Sequence, residues 1–214
     1  MQADIILKQD IGTGRAFTFI FEEENYYDLV APTIEKLNSS SRILIFLIPK
    51  VTETNWQKIS EDLLKKFVEL KIRQTSIVGI GEATSVSQNI ALRENKLIRS
   101  LILIDPTTRA HPKKIDKFIS KIEEFLPLGL PLRKNFMGFD SKPFLQRLRC
   151  PCLILTTNRA SPYIRLQSEL IAKRVPTAWL KDLKEENFST RLIQLIEEFE
   201  QVPAKCPQKN LKIN

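Results

Sequence analysis

Histidine is almost missing from this chain: His111 is the only one in 214 residues. Imidazole is the side chain that most readily exchanges protons near neutral pH. General-base chemistry therefore rests on one residue, in a loop and followed by Pro112. Cysteine is scarce too. Of the three present, two stand in Cys150-Pro151-Cys152. They make no disulfide framework, and reduced, packing thiols in a cytoplasmic or similarly reducing compartment are expected. No zinc-finger spacing is present, and neither a metal nor another cofactor is expected.

Long apolar runs are also lacking. The longest, Ile43 to Pro49, falls far short of the roughly 20 residues of a membrane helix. The N-terminal MQADIILKQD lacks a basic segment followed by a long apolar one, so no secretory signal is expected. There is no internal repeat and no low-complexity tract.

Lys and Arg number 33 against 25 Asp and Glu, a net charge of +8, yet they are scattered and not blocked into runs. The excess favours a protein partner with an acidic surface. Without an RRM-type aromatic motif or a helix-turn-helix pattern, a specific nucleic-acid role is not expected.

What is present is alternation. The length suits one domain, read as residues 1–202 with a basic tail at 203–214. Apolar segments at 4–10 and 16–21, separated by Gly12-Thr13-Gly14, read as a β-hairpin. A helix follows from Tyr27 to Leu37, then a continuous apolar strand from Ile43 to Ile48 of the kind a parallel sheet covers on both faces. Ile59, Leu63, Leu64, Phe67 and Leu70 recur at helical spacing within 56–70. Residues 75–106 are the organising stretch: strand, Gly-containing turn at 79–83, helix, strand, read as a parallel βαβ unit. Residues 107–149 read as a cap-like insertion over the sheet edge, with an amphipathic helix from Ile115 to Phe125. Its apolar residues, flanked by Lys113, Lys114, Lys117, Lys121, Arg133 and Lys134, give 113–134 the character of a surface for an anionic membrane or a protein partner. A strand at 152–156, a helix at 161–173, a strand at 177–180 and a helix at 189–200 complete the pattern. The fold class is α/β, a three-layer sandwich with a mostly parallel central sheet.

The string ALRENKLIRSLILIDP at 91–106 resembles the helix and following strand of the α/β-hydrolase superfamily. Residues 76–79 resemble that family's strand entering the nucleophile elbow, and 144–155 its strand after the cap. The resemblance covers about 17–200 and implies a Ser on the G-x-S-x-G elbow, a His base, an orienting acid and an oxyanion loop. At the matching positions this chain has Gly81 for the nucleophile and Ala83 for the second elbow glycine. The acid loop reads Thr157-Asn158-Arg159-Ala160-Ser161, the base position is Asn187, and the oxyanion loop reads Glu22-Glu23-Glu24. Carboxylates there repel a developing oxyanion. Their expected place is a solvated loop or a helix start.

The residues thus point to a hydrolase fold without hydrolase chemistry, a protein acting by binding as a subunit or assembly factor of a complex. Two alternatives stand beside it. One is an esterase or thioesterase with a relocated nucleophile, for which Ser85, Asp105 and His111 are the available groups. The other is a small-molecule or lipid receptor using the vestigial pocket. Ser85 and Ser87 are expected to bond back to helix carbonyls, and Asp105 to start a helix or form a salt bridge.

Overall fold

The computed structural model describes residues 4–109, 139–183 and 188–201. The insertion's 113–134 surface and Ile115–Phe125 helix, His111, Asn187 and the 203–214 tail lie outside the described residues.

Seven strands form one sheet: β1 (Ile6–Ile11), β2 (Arg15–Phe21), β3 (Ser41–Leu47), β4 (Thr75–Ile80), β5 (Ile98–Ile104), β6 (Cys152–Thr157) and β7 (Ala178–Leu183). Their spatial order is β1-β3-β2-β4-β5-β6-β7. Every pairing is parallel except that of β1 with β3. The expected hairpin is therefore not formed: β3 lies between β1 and β2. The physical reason is the two-sided character of β3, whose Ile43, Leu44, Ile45 and Phe46 are wholly buried and which bonds a strand on each edge. Gly12, at φ +75°, carries the chain over the start of β3, where a Cβ would lie 2.2 Å from the Ser41 carbonyl oxygen. Only glycine fits that passage.

Among the described residues five helices flank the sheet: α1 (Asn25–Asn38), α2 (Trp56–Glu69), α3 (Ala83–Arg93), α4 (Pro162–Arg174) and α5 (Phe188–Gln201). Alternate strand residues point to opposite faces and so divide the core. Ile20, Leu44, Phe46, Ile77, Leu101, Leu103 and Ile154 pack with Leu63 and Phe67 of α2, Val86 and Ile90 of α3 and Ile171 of α4. Phe19, Ile45, Val78, Ile102 and Leu155 pack with Val30 and Ile34 of α1 and Leu192 and Phe199 of α5. Each such side chain contributes about 1.5–3 kcal/mol on leaving water.

The βαβ unit forms as its pattern predicts. Helix α3 is buried from Ala83 to Ala91, polar residues included. Gly79 makes this close approach workable, because the Ser87 hydroxyl lies 2.5 Å from where a Cβ would stand. The two ends of the 107–149 insertion meet beside α3. Arg109 Nε donates to Asp140 Oδ2 at 2.9 Å, Ser141 Oγ donates to Gln88 Oε1 at 2.6 Å, and Gln88 Nε2 donates to the Thr107 carbonyl at 2.9 Å. No helix among the described residues is long and apolar enough to cross a membrane.

Candidate functional site

Active centres of parallel α/β sheets form where strands end and helices begin, which here is the edge holding Glu22, Gly81 and Asp105. Gly81 links β4 to α3 with φ +61°, and its N–H donates to the Ile104 carbonyl at 3.1 Å. The strained strand-to-helix turn thus survives without a side chain at its apex. The space above it is narrowed. A Cβ on Gly81 would lie 3.3 Å from the Tyr26 hydroxyl, which α1 carries in from the other side of the turn. Tyr26 was not foreseen from the sequence. Its only sequence signal is an aromatic two residues past an acidic run.

Tyr26 stands among carboxylates. Burial first, then the charges of Glu23, Asp105, Glu22 and Glu82, hold its hydroxyl above the usual tyrosine range, so it stays protonated at neutral pH. Glu22 departs from the solvated loop or helix start expected for it. It follows directly on β2, is half-buried, and accepts the Val51 N–H at 2.8 Å. Burial, opposed by that bond and reinforced by Glu82, pushes its carboxyl up to about 7. Glu24 does precede α1 and pairs with Lys8.

That proton has a measurable consequence. The unfolded chain releases it near 4.5 and the folded chain near 7. Between these values the folded state holds more protons, so stability falls as pH rises. Glu22→Gln keeps an acceptor for Val51 and removes the titration. It is expected to add little near pH 4 and about 1–2 kcal/mol above pH 7, allowing for solvent screening of the exposed part. Urea melts of both proteins across this range check it.

Asp105 neither starts a helix nor joins a described ion pair. At φ +53° it turns its carboxylate to the next strand's end, accepting from the Thr157 N–H at 2.8 Å and the Thr157 hydroxyl at 2.6 Å. It thereby reaches the loop in which the resemblance places an acid and where Ala160 stands buried. Ser85 is buried and donates to the Glu82 carbonyl at 2.8 Å, and Ser87 to the Ala83 carbonyl at 2.9 Å, as expected for helix serines. No hydrogen bond joins Ser85 to Asp105, so these two candidates are not brought together. Cys150 and Cys152 are buried, and burial pushes the Cys150 thiol up to about 12 and Cys152 up as well. They are poor nucleophiles. Among the described residues no cluster of His, Cys, Asp and Glu could hold a metal ion.

No family model and no curated protein matches the sequence. Solved structures do match in shape. The enol-lactonase from Burkholderia xenovorans LB400 superposes with a TM-score of 0.68 at 13% identity, over 92% of this chain and 96% of that one. An esterase from Thermogutta terrifontis gives 0.68 at 16%, over 92% and 93%. A hydrolase from Pseudomonas aeruginosa PA01 gives 0.64 at 16%, over 92% and 94%. Identities this low speak for architecture alone. Strand order, a single antiparallel edge strand, the sharp turn at Gly81 and these superpositions agree: the chain has the α/β-hydrolase fold.

Proposed function

We propose that this chain keeps the α/β-hydrolase architecture without covalent hydrolase chemistry, and acts by binding as a subunit or assembly factor of a protein complex. The observation that carries the reading is Gly81 at the elbow with the Tyr26 hydroxyl over it. An acyl-transfer mechanism needs a nucleophile at that apex, a base beside it and donors facing the developing oxyanion. Here the apex has no side chain, and the carboxylates of Glu23, Asp105 and Glu82 around Tyr26 disfavour an oxyanion. The nearby hydroxyls of Ser85 and Ser87 are committed to helix carbonyls.

The test is turnover of p-nitrophenyl butyrate by the native protein and by Gly81→Ser. Both are expected to stay at the uncatalysed rate. The serine also incurs about 1 kcal/mol of left-handed backbone strain, read in a urea melt. Turnover by the native protein that disappears on changing one residue of this edge would overturn the reading. It would favour the second one, an ester or thioester hydrolase with a displaced nucleophile, which draws support from the architecture shared with a lactonase and an esterase.

A further inference from the structure

The edge opposite the elbow has the opposite charge. Arg15 opens β2, and Arg73, Lys96, Arg149 and Arg174 stand two to four residues before β4, β5, β6 and β7. These strands are consecutive neighbours in the sheet, so these positions form a row of successive strand entrances along one edge, with Arg174 closing α4 before the last of them. All five are exposed. Among the described residues, Arg15, Arg73, Lys96 and Arg149 have no carboxylate partner, whereas Arg174 donates to the Lys142 carbonyl.

Part of this polarity is ordinary. The C-termini of α2, α3 and α4 also end here, and Lys66, Arg93, Lys173 and Arg174 in their last turns complement the helix dipoles. That account does not reach Arg15, Arg73, Lys96 or Arg149, which belong to a strand start and to loops.

Lys71 stands beside the row, just past the end of α2. Helix α2 ends in a Schellman turn: the Ile72 N–H donates to the Phe67 carbonyl at 2.9 Å and the Lys71 N–H to the Val68 carbonyl at 3.0 Å. Its left-handed residue is Lys71, at φ +54°, where glycine is the usual choice. A cation is held there against backbone strain.

We propose that this basic edge is a docking surface for the carboxylate-rich face of a partner protein. The proposal rests on the binding reading above and names the surface that binding would use. The loops at 12–15, 70–74, 94–97, 148–151 and 174–177 contain no Phe, Tyr or Trp, so they offer nothing on which a base could stack. Exposed Glu94 interrupts the row beside Lys96. It repels a continuous phosphate backbone but can pair with a cation of a mixed, mainly acidic protein face. Four arginines present planar forks suited to carboxylates.

Titration of the intact protein with a labelled peptide of repeated Glu-Glu-Lys triplets, and with a short duplex DNA, tests this at low salt. The native protein is expected to prefer the peptide. Reversing the row (Arg15→Glu, Arg73→Glu, Lys96→Glu, Arg149→Glu) is expected to weaken peptide binding about tenfold. A matched reversal at exposed positions elsewhere (Lys8→Glu, Lys58→Glu, Lys65→Glu, Arg159→Glu) should leave it close to native. Lys71→Gly is expected to weaken binding while raising the melting temperature by about 2 °C, since it relieves the turn. Equal losses in the two charge-reversed proteins, a preference for duplex, or no peptide binding would each overturn the proposal. Ester turnover of the same preparations reports separately on the elbow, so failure of one reading is distinguishable from failure of the other. Circular dichroism confirms that each variant is folded.

Discussion

Gly79→Val is expected to cost about 3 kcal/mol, as overpacking at a helix–strand contact does. A Cβ at this position already meets the Ser87 hydroxyl at 2.5 Å, the Ser87 Cβ at 3.1 Å and the Thr84 Cα at 3.2 Å. The last of these is backbone, so no rotamer change relieves it. Valine adds two methyls, and α3 must move off β4. That displacement reaches the site, because α3 begins two residues after Gly81 and the Thr84 hydroxyl and N–H both bond the Gly81 carbonyl. The readout is the urea midpoint at unchanged slope. Gly79→Ala is expected to lose less, and Ser87→Ala in the same protein to recover part of that loss by removing the nearest contact. Additive losses in the double variant would contradict this account of Gly79.

Phe67→Ala is expected to cost 3–5 kcal/mol, in the range for deleting a buried ring. Phe67 is fully buried and lies 5.9 Å, centroid to centroid, from Phe46 of β3 at a tilted 57°. It also closes the α2 Schellman turn through Ile72, its neighbour in the same core cluster. Truncation opens a cavity and removes an aromatic pair at once, a combination worth more than buried area alone. Phe67→Leu refills most of the volume and is expected to lose less than half as much. Guanidinium melts of the three proteins test the ordering, and equal losses from leucine and alanine would show that packing volume is not what matters here.

How much of this could be read from residues depended on how local the cause is. The unit from Thr75 to Ile104 was legible because each element carries its own period, and the glycine turn sits where the periods change. The helix serines were legible for the same reason, since a hydroxyl bonding back three or four residues is a local event. The pairing of β1 was not. Gly12 and Gly14 signal a reversal, but whether the reversed strand meets β2 or passes over it is decided by β3, some thirty residues on. Asp105 was visible at the end of an apolar strand, while its true partner, Thr157, comes from a strand that only the sheet order brings alongside. The role of Tyr26 is the least legible of all. Nothing near it in sequence indicates that α1 delivers its hydroxyl to Gly81, which lies in the turn between β4 and α3. The burial of Glu22 is hidden for a related reason: consecutive carboxylates look solvated until a loop from β3 folds over one of them and offers Val51 N–H.

The central claim is that the elbow persists as geometry and not as chemistry, and a fluorophosphonate probe tests it most directly. Native protein, its fold checked by circular dichroism, is incubated with the probe beside an active serine hydrolase. The account predicts labelling of the reference enzyme and none of this chain. Stoichiometric labelling that maps to one residue, with Ser85 the first to inspect, would contradict it and establish a nucleophile where Gly81 provides none.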